Sequence, residues 1–309
     1  DSHRDIAVAA ARAGKHIFCE KPMALNVAQA REMLDAVERA GVLHMIGFNY
    51  RRVPAIALAK RLIEEGALGE IYHFRAVYLQ DWIVDPEFPA MWKLRKEIAG
   101  SGPHGDLNAH LIDLARYLIG EFDSVVGMAK TFIKKRPRPA DSERLTTMLT
   151  AESDVSRGEL VEVNVEDTMS FLARFESGVT GTFEATRLAT GRKNHERFEI
   201  NGSRGSLVFN FERMNELEFY SRDDPQDRQG FRTILVTDES QPYISAWWPP
   251  GHIIGYEQTF VNEFADLMKC IEDGVMPTPN FYDGVKCQEV LEAVERSVQE
   301  ARWVKISEV

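Results

Sequence analysis

The first fifty residues alternate so closely between helical and strand-forming patterns that they constrain the fold more than any other part of the chain. Residues 6–11 have helical apolar spacing, 16–20 form a short apolar strand, 27–40 repeat the helical pattern, and 42–48 form a second apolar strand. This alternation is typical of βαβ units in a parallel sheet. We therefore expect the second half of a doubly wound α/β domain here.

After residue 69 the pattern changes to β-rich runs separated by turn signals. These runs lie at 70–82, 124–133, 168–175, 178–186, 197–200, 206–210, 216–220 and 233–236. Helical patterns lie at 54–65, 106–119, 256–273 and 282–302, whereas the polar stretch 136–162 predicts an exposed loop. The sequence thus predicts an α+β domain with a large, mainly antiparallel open sheet.

Composition limits the function and the surroundings of the protein. A chain of 309 residues is long enough for two domains, which we place at 1–53 and 54–309. A net charge of -11 without a strongly basic stretch argues against a nucleic-acid partner. No apolar run reaches the roughly 20 residues that cross a membrane. The three cysteines fit neither a zinc site nor a disulfide framework, so we expect a cytoplasmic protein.

Glu20, Lys21 and Pro22 follow an apolar strand at the carboxyl edge of the predicted parallel sheet. Ligands of open α/β sheets bind at that edge. The lysine can therefore donate a hydrogen bond to a substrate hydroxyl. An ordinary surface lysine in a loop is the alternative that its position alone leaves open.

Asp106 and His110 lie four residues apart on a predicted helix and share one of its faces. A carboxylate beside an imidazole holds its tautomer and raises its basicity, which suits proton transfer. The glycine-rich run 100–105 allows a ligand to approach the start of this helix. A capped helix with His110 in the core explains the same residues, and a metal site lacks further ligands nearby.

Two further groups of side chains mix aromatic and polar character, as sugar-binding walls do. Tyr78, Gln80 and Trp82 end one strand, and Arg187 and Asn194 follow another. Each residue taken alone is more often structural than functional. The sequence therefore offers them only as candidates for substrate contacts.

Together these segments resemble the Gfo/Idh/MocA family of dehydrogenases, which includes glucose–fructose oxidoreductase and inositol dehydrogenase. The resemblance begins with G-K-H-I-x-C-E-K-P at 14–22 and continues with G-F-N-Y-R-R at 47–52. It includes Trp92 and D-x-x-x-H-x-x-D at 106–113, with a weaker match at 202–205. Within the family, the runs 48–52 and 78–82 look most like levoglucosan dehydrogenases and their near relatives.

The resemblance implies a C-terminal part of a Rossmann domain, followed by the sheet domain, and an NAD(P)-dependent oxidoreductase. Its substrate would be a sugar, anhydrosugar or cyclic polyol with a secondary hydroxyl. Lys21 would orient the substrate and hydrogen-bond its reacting hydroxyl, and His110 would take the hydroxyl proton. Asp106 would position the substrate and support His110, and a cis Lys21–Pro22 bond is also expected. The candidate site residues are Glu20, Lys21 and Asn49 for the cofactor, and Tyr78, Gln80, Trp82, Asn108, Arg187 and Asn194 for the substrate.

The family pattern also includes, after its first strand, a G-x-G-x-x-G turn that holds the dinucleotide pyrophosphate. Here only Gly100, Gly102 and Gly105 have this spacing, and they lie in the wrong context, so the sequence lacks that turn. We therefore expect roughly 70 residues of a two-half dinucleotide fold to precede Asp1. The sequence as it stands would then bind the cofactor poorly. NAD and NADP both remain open, with NAD preferred.

Two other functions remain open at this stage. One is a non-catalytic relative that binds a sugar or a protein partner, and the other is a redox-neutral enzyme that uses tightly bound NAD. We expect another protein surface to cover the open face of the predicted sheet. Since members of the family pair through that face, we expect a homodimer or homotetramer.

Overall fold

A computed structural model describes residues 2–139 and 159–309, and its first part contains the alternation that the sequence predicts. The elements are helix α1 (His3–Arg12), strand β1 (Ile17–Glu20), helix α2 (Val27–Ala40) and strand β2 (His44–Gly47). β1 and β2 are parallel, with Ile17 opposite His44. The Asn26 side chain caps α2, and Gly41 ends it in the left-handed conformation.

A nine-stranded sheet dominates the second part of the chain. Its strands are β3 (Ile71–Leu79), β4 (Phe122–Lys130), β7 (Thr168–Phe175), β8 (Thr180–Thr186), β9 (His195–Gly202), β10 (Gly205–Asn210), β11 (Glu216–Ser221), β12 (Arg232–Leu235) and β13 (Val304–Lys305). Their order is β12-β11-β10-β9-β3-β8-β7-β4-β13. Only β3 and β8 pair in parallel among these neighbours, which confirms a large, mainly antiparallel sheet.

The second part of the chain also contains helices. They are α3 (Pro54–Glu64), the short α4 (Lys96–Ala99), α5 (Ala109–Leu118), α6 (Tyr256–Asp273) and α7 (Phe281–Glu300). Of these, α3, α5 and α7 contact strands of the large sheet. α7 packs closely against β4. A Cβ atom added to Gly127 of β4 would lie only 2.9 Å from the Val294 side chain of α7. Within residues 2–139 and 159–309, none of the helices has the length and apolarity that a membrane span requires.

The stretch 136–162 is not simply an exposed loop. β5 (Lys135–Pro137) and β6 (Leu160–Glu162) pair as an antiparallel ribbon, while residues 140–158 lie outside the described part. Arg136 is fully buried, and its guanidinium donates to the carbonyl oxygens of Ile83 at 2.6 Å and Asp85 at 2.7 Å. These bonds pair both terminal nitrogens of a buried guanidinium, while its Nε has no partner among the described residues; the polar sequence pattern could not reveal this burial.

The predicted helix 106–119 begins earlier and is not uniform. A wide π turn spans His104–Asn108, and the regular helix α5 starts after it. The Glu166 carboxylate accepts from the His104 N–H, and the Ser101 hydroxyl accepts from the Gly105 N–H, both at 2.9 Å. Because side chains outside the helix satisfy these first amides, the turn can widen without leaving them unpaired.

Candidate active site

Lys21 lies where the sequence predicts, directly after β1 at the carboxyl edge of the parallel pair. Its peptide bond to Pro22 is cis, as expected. The ammonium donates to the Asp106 carboxylate at 3.0 Å and to the Asp106 backbone carbonyl at 2.7 Å. The structure therefore joins two residues that are 85 positions apart in the sequence.

Three cationic side chains surround the Asp106 carboxylate. Besides Lys21, Arg187 donates to it at 2.7 Å and Lys93 at 3.2 Å. Although burial alone would raise the pKa of Asp106, the charges of Lys21, Arg187 and Lys93 hold it well below its usual range. Asp106 is therefore a permanent anion that holds three donors around one point.

The π turn places Asp106 among these three cations, and the lack of a side chain at Gly102 allows the turn to lie there. A Cβ atom on Gly102 would lie 2.1 Å from the backbone oxygen of Glu166, so no larger residue fits without a backbone shift. The Gly102 carbonyl also lies 3.5 Å from the Arg187 guanidinium. The glycine-rich run 100–105 thus lets two segments of the protein's own main chain approach each other closely, besides leaving room for a ligand.

His110 is almost completely buried and its imidazole stacks on the Tyr50 ring, with centroids 4.0 Å apart. Burial, and then the positive charge of Lys21, lower the pKa of His110 well below its ordinary value, while Asp106 opposes the shift. The imidazole is therefore neutral near pH 7 and can accept a proton.

Asp106 does not hold the His110 tautomer by a direct hydrogen bond. Across 2–139 and 159–309, the carboxylate bonds only to Lys21, Lys93 and Arg187, and His110 Nδ1 is buried without a partner. Asp106 thus acts on the imidazole through its charge. Asp106 and His110 are four residues apart, which would place them on one face of a regular α-helix. Asp106 lies in the π turn, whose wider winding changes this alignment, and the two side chains form no hydrogen bond.

A chain of hydrogen bonds connects most of the predicted substrate residues. The Tyr78 hydroxyl and the Gln80 amide both donate to Asn194 Oδ1 at 2.8 Å, and the Trp82 indole donates to Gln80 at 2.8 Å. The Arg187 guanidinium lies 5.2 Å from the centroid of the Trp82 ring. These five side chains therefore form one continuous polar and aromatic wall that reaches Asp106.

Two predicted contact residues also have hydrogen-bond partners inside the protein. Asn108 is fully buried and its amide lies 3.1 Å from His104 Nδ1. Asn49 is buried as well, and its amide donates to the Thr259 hydroxyl of α6 at 2.7 Å. Glu20 differs from both, since its exposed carboxylate lies beside Lys21 and accepts the Lys21 N–H at 3.2 Å.

A cavity of about 560 Å³ opens beside the Lys21–Asp106 pair. Its walls include Glu20, Lys21, Trp92, Lys93, Asp106 and Arg187. This volume lies within the range of small-molecule sites, roughly 300–1,000 Å³. The cavity can therefore take a small ligand directly at the cationic group.

Sequence reasoning missed three residues here: Tyr50, Lys93 and Glu196. Tyr50 belongs to the quoted run 47–52 but received no role, and Lys93 directly follows Trp92. Glu196 is completely buried on β9, and burial raises its pKa well above the ordinary value. Glu196 lies opposite Tyr78 through the pairing of β3 with β9, which no local sequence signal indicates.

Comparisons with known proteins agree with this arrangement. Residues 1–48 match the oxidoreductase family with an NAD-binding Rossmann fold, and residues 56–208 match the GFO/IDH/MocA C-terminal domain. The levoglucosan dehydrogenase of Pseudarthrobacter phenanthrenivorans is 44% identical over 309 residues, covering 99% of this chain and 78% of that protein. The chain belongs to the Gfo/Idh/MocA family. The fold class, the oxidoreductase class and the NAD-type cofactor expected from the sequence are thereby confirmed.

Solved structures of family members have the same fold. An oxidoreductase domain protein from Kribbella flavida superposes with a TM-score of 0.92 at 48% identity, covering 99% of this chain and 78% of its own. A levoglucosan dehydrogenase in complex with NADH and levoglucosan superposes with a TM-score of 0.90 at 44% identity. That match covers 98% of this chain and 77% of the other.

Proposed function

We propose that this Gfo/Idh/MocA protein oxidises a secondary hydroxyl of a sugar, anhydrosugar or cyclic polyol, with Lys21, Asp106 and His110 as its catalytic residues. One observation carries the proposal: a lysine held by a permanent anion lies beside a buried neutral imidazole, at the carboxyl edge of the NAD-binding half. This arrangement combines a hydroxyl-binding cation with a proton acceptor.

The residues at this edge suit a nicotinamide cofactor. The cavity begins at the ends of parallel strands, where dinucleotides bind in such folds, and Glu20 and Lys21 line it. Glu20 and Lys21 would contact the bound cofactor, while Asn49 would support the adjacent turn through Thr259. NAD, when bound, supplies the acceptor for a hydride.

The protein's own residues account for the rest of the reaction. Lys21 donates to the reacting hydroxyl oxygen and stabilises the negative charge that develops on it. His110 takes the hydroxyl proton as the carbon loses its hydride, so the alcohol becomes a ketone and the imidazole becomes an imidazolium. Asp106 fixes Lys21 in place and stabilises the imidazolium by its charge.

The substrate class follows from the wall of Tyr78, Gln80, Trp82, Asn194 and Arg187. Amide and guanidinium groups beside an indole ring suit a hydroxylated ring with one apolar face. Relatives that act on levoglucosan support an anhydrosugar in particular. We place Asn108 behind this wall, where it supports the π turn through His104.

The test is the reduction of NAD⁺ by the full-length protein with levoglucosan, myo-inositol and a set of aldoses. Lys21→Ala should lower kcat by at least 10³-fold, while Lys15→Ala, an exposed lysine on the same part of the chain, should not. Stoichiometric NADH and ketone would support a dehydrogenase. Binding without NADH formation would favour a sugar-binding relative, and a product without net oxidation would favour a redox-neutral enzyme.

We also propose that the domain boundary lies at residue 53 and that two or four copies pair through the outer face of the sheet. Met128 is 67% exposed there and Leu172 is 50% exposed, on neighbouring strands β4 and β7. Exposed apolar side chains in a regular sheet suit a second copy of the same surface. Sedimentation of Leu172→Glu should give monomers if this face forms the interface.

A further inference from the structure

Several buried polar atoms near the candidate active site lack partners within the described part of the chain, and those of His110 and Glu196 lie beside the same tyrosines. His110 Nδ1 has none, and neither do the two carboxyl oxygens of Glu196, in the part of the chain covered by 2–139 and 159–309. Glu196 is 0% exposed and His110 is 5% exposed. Since buried polar atoms without hydrogen bonds are costly, two of them in one region require an explanation.

Both groups face the same pair of tyrosines. Tyr78 on β3 lies directly opposite Glu196 on β9, and both point to the inner face of the sheet. The Tyr50 ring stacks on His110 at 4.0 Å, and the Tyr78 ring centroid lies 6.0 Å from His110. The two tyrosine hydroxyls are 2.7 Å apart. Glu196 and His110 therefore approach one compact group from two sides.

The pKa shifts of the two tyrosines also indicate that Glu196 lies near them. Burial is the largest cause that raises the pKa of Tyr50 and Tyr78, and the charge of Glu196 raises both further. Burial also raises the pKa of Glu196 itself well above its ordinary value, against the positive charge of Lys21. This shift favours the protonated carboxyl group of Glu196, which has one donor and an acceptor oxygen.

A general base of this kind needs a fixed tautomer. If His110 Nε2 accepts the substrate proton, Nδ1 carries a hydrogen that must find an acceptor. In the structure Asp106 does not bond to His110, because its Oδ1 accepts from Lys21 and its Oδ2 accepts from Lys93 and Arg187. The carboxyl group of Glu196, beside the same tyrosine pair, is a buried acceptor without a partner among the described residues.

We propose that Glu196 is a positioning residue that fixes the His110 tautomer by accepting the Nδ1–H hydrogen bond through one internal water. The protonated carboxyl group accepts from this water with its carbonyl oxygen. This inference rests on the proposed role of His110 as the base. It assigns to Glu196 the support that the sequence pattern suggested for Asp106.

Three variants of the full-length protein test this role through activity and thermal stability. Glu196→Leu should lower kcat by 10-fold to 100-fold with less than a 3-fold change in the KM for NAD⁺. It should also lower the melting temperature by about 2–4 °C, because the buried His110 Nδ1–H loses its water-bridged acceptor. Glu196→Gln, which keeps a neutral acceptor, should recover kcat to within about 5-fold of wild type. Glu199→Gln, on the outer face of the same strand, is the control.

A kcat for Glu196→Leu within 2-fold of wild type would overturn the positioning role, and so would a Glu196→Gln variant as impaired as Glu196→Leu. A ¹⁵N NMR spectrum of the histidine side chains separates this inference from the proposed function. Wild-type His110, assigned with His110→Gln, should show a single Nδ1–H tautomer that Glu196→Leu converts to a mixture. If the wild-type protein oxidises no sugar, the proposed function fails, while this spectrum still decides the tautomer.

Discussion

The Lys21 ammonium donates two hydrogen bonds to Asp106, at 3.0 Å to the carboxylate and at 2.7 Å to the backbone carbonyl. Because one bond goes to the main chain, the lysine is tied to the π turn itself as well as to a side chain. Movement of that turn would therefore move Lys21 directly. The pair connects the end of a parallel strand in one part of the chain to the start of α5 in the other.

Replacing Asp106 with asparagine should damage both activity and stability. The change leaves Lys21, Lys93 and Arg187 together without their anion, and loss of one partner from a buried ionic group costs about 3 kcal/mol. We expect kcat/KM for the sugar to fall by about 10²-fold, which corresponds to roughly 2.7 kcal/mol. Steady-state kinetics and urea unfolding measure the two effects.

Asp106→Asn should also change how kcat/KM depends on pH. Since the charge of Asp106 raises the pKa of His110, its removal should move the acid limb of the kcat/KM profile of Asp106→Asn to lower pH. Asp123→Asn, an exposed carboxylate on β4, should leave the profile unchanged. An acid limb that does not move would argue that His110 is not the titrating base.

His44 should make the folded state sensitive to acid. Burial lowers its pKa from 6.5 to about 4, and its Nδ1 accepts the Phe281 N–H at 3.1 Å. The unfolded chain therefore binds a proton below pH 6.5 that the folded chain does not bind until about pH 4, so stability falls as the pH drops through this window. His44 should contribute a loss of about 2–3 kcal/mol between pH 7.5 and 4.5.

Urea unfolding of wild type and His44→Gln at both pH values isolates this contribution. Glutamine can still accept the Phe281 N–H but does not titrate in this range. The variant should lose less stability than wild type on acidification. Equal losses in the two proteins would show that His44 is not responsible.

The sequence could predict the elements, but it could not predict all of the contacts between them. The strand–helix alternation in the first fifty residues and the lysine after β1 follow from local patterns, and the D-x-x-x-H run identified Asp106 and His110 through the family. Lys93 reaches Asp106 only because of the path of the chain after Trp92, and Glu196 meets the site only through the pairing of β3 with β9. Such register depends on distant parts of the chain.

The structure also shows hydrogen bonds at two predicted contact residues that the sequence could not indicate. The amides of Asn49 and Asn108 bond to Thr259 and His104 inside the protein. Both partners come close only through the fold, so sequence position does not indicate these bonds. Contacts of Asn49 with the cofactor and of Asn108 with the substrate stay predictions.

Asn194 should control the apparent affinity for the sugar. Its Oδ1 accepts from Tyr78 and Gln80 together, so Asn194→Ala leaves two donors without their partner. We expect the KM for the sugar to rise about 10-fold, with less than a 3-fold change in the KM for NAD⁺. Lys193→Ala is the neighbouring control, because its ion pair with Asp81 is exposed on the lysine side. Equal effects on both KM values would contradict a role for Asn194 in the substrate wall.

Gly102 should tolerate no side chain, although its backbone angles are ordinary. The Cβ atom of an alanine would lie 2.1 Å from the Glu166 backbone oxygen, so two segments of main chain must separate. Overpacking of this kind costs about 1–3 kcal/mol, and the shift would also displace the carbonyl beside Arg187. Gly102→Ala should therefore unfold at lower urea concentration and lose activity. Gly230→Ala is the matched control, since a Cβ atom there meets open space. If both glycine variants unfolded at the same urea concentration as wild type, the close approach at Gly102 would not be what holds the π turn and Asp106 in place.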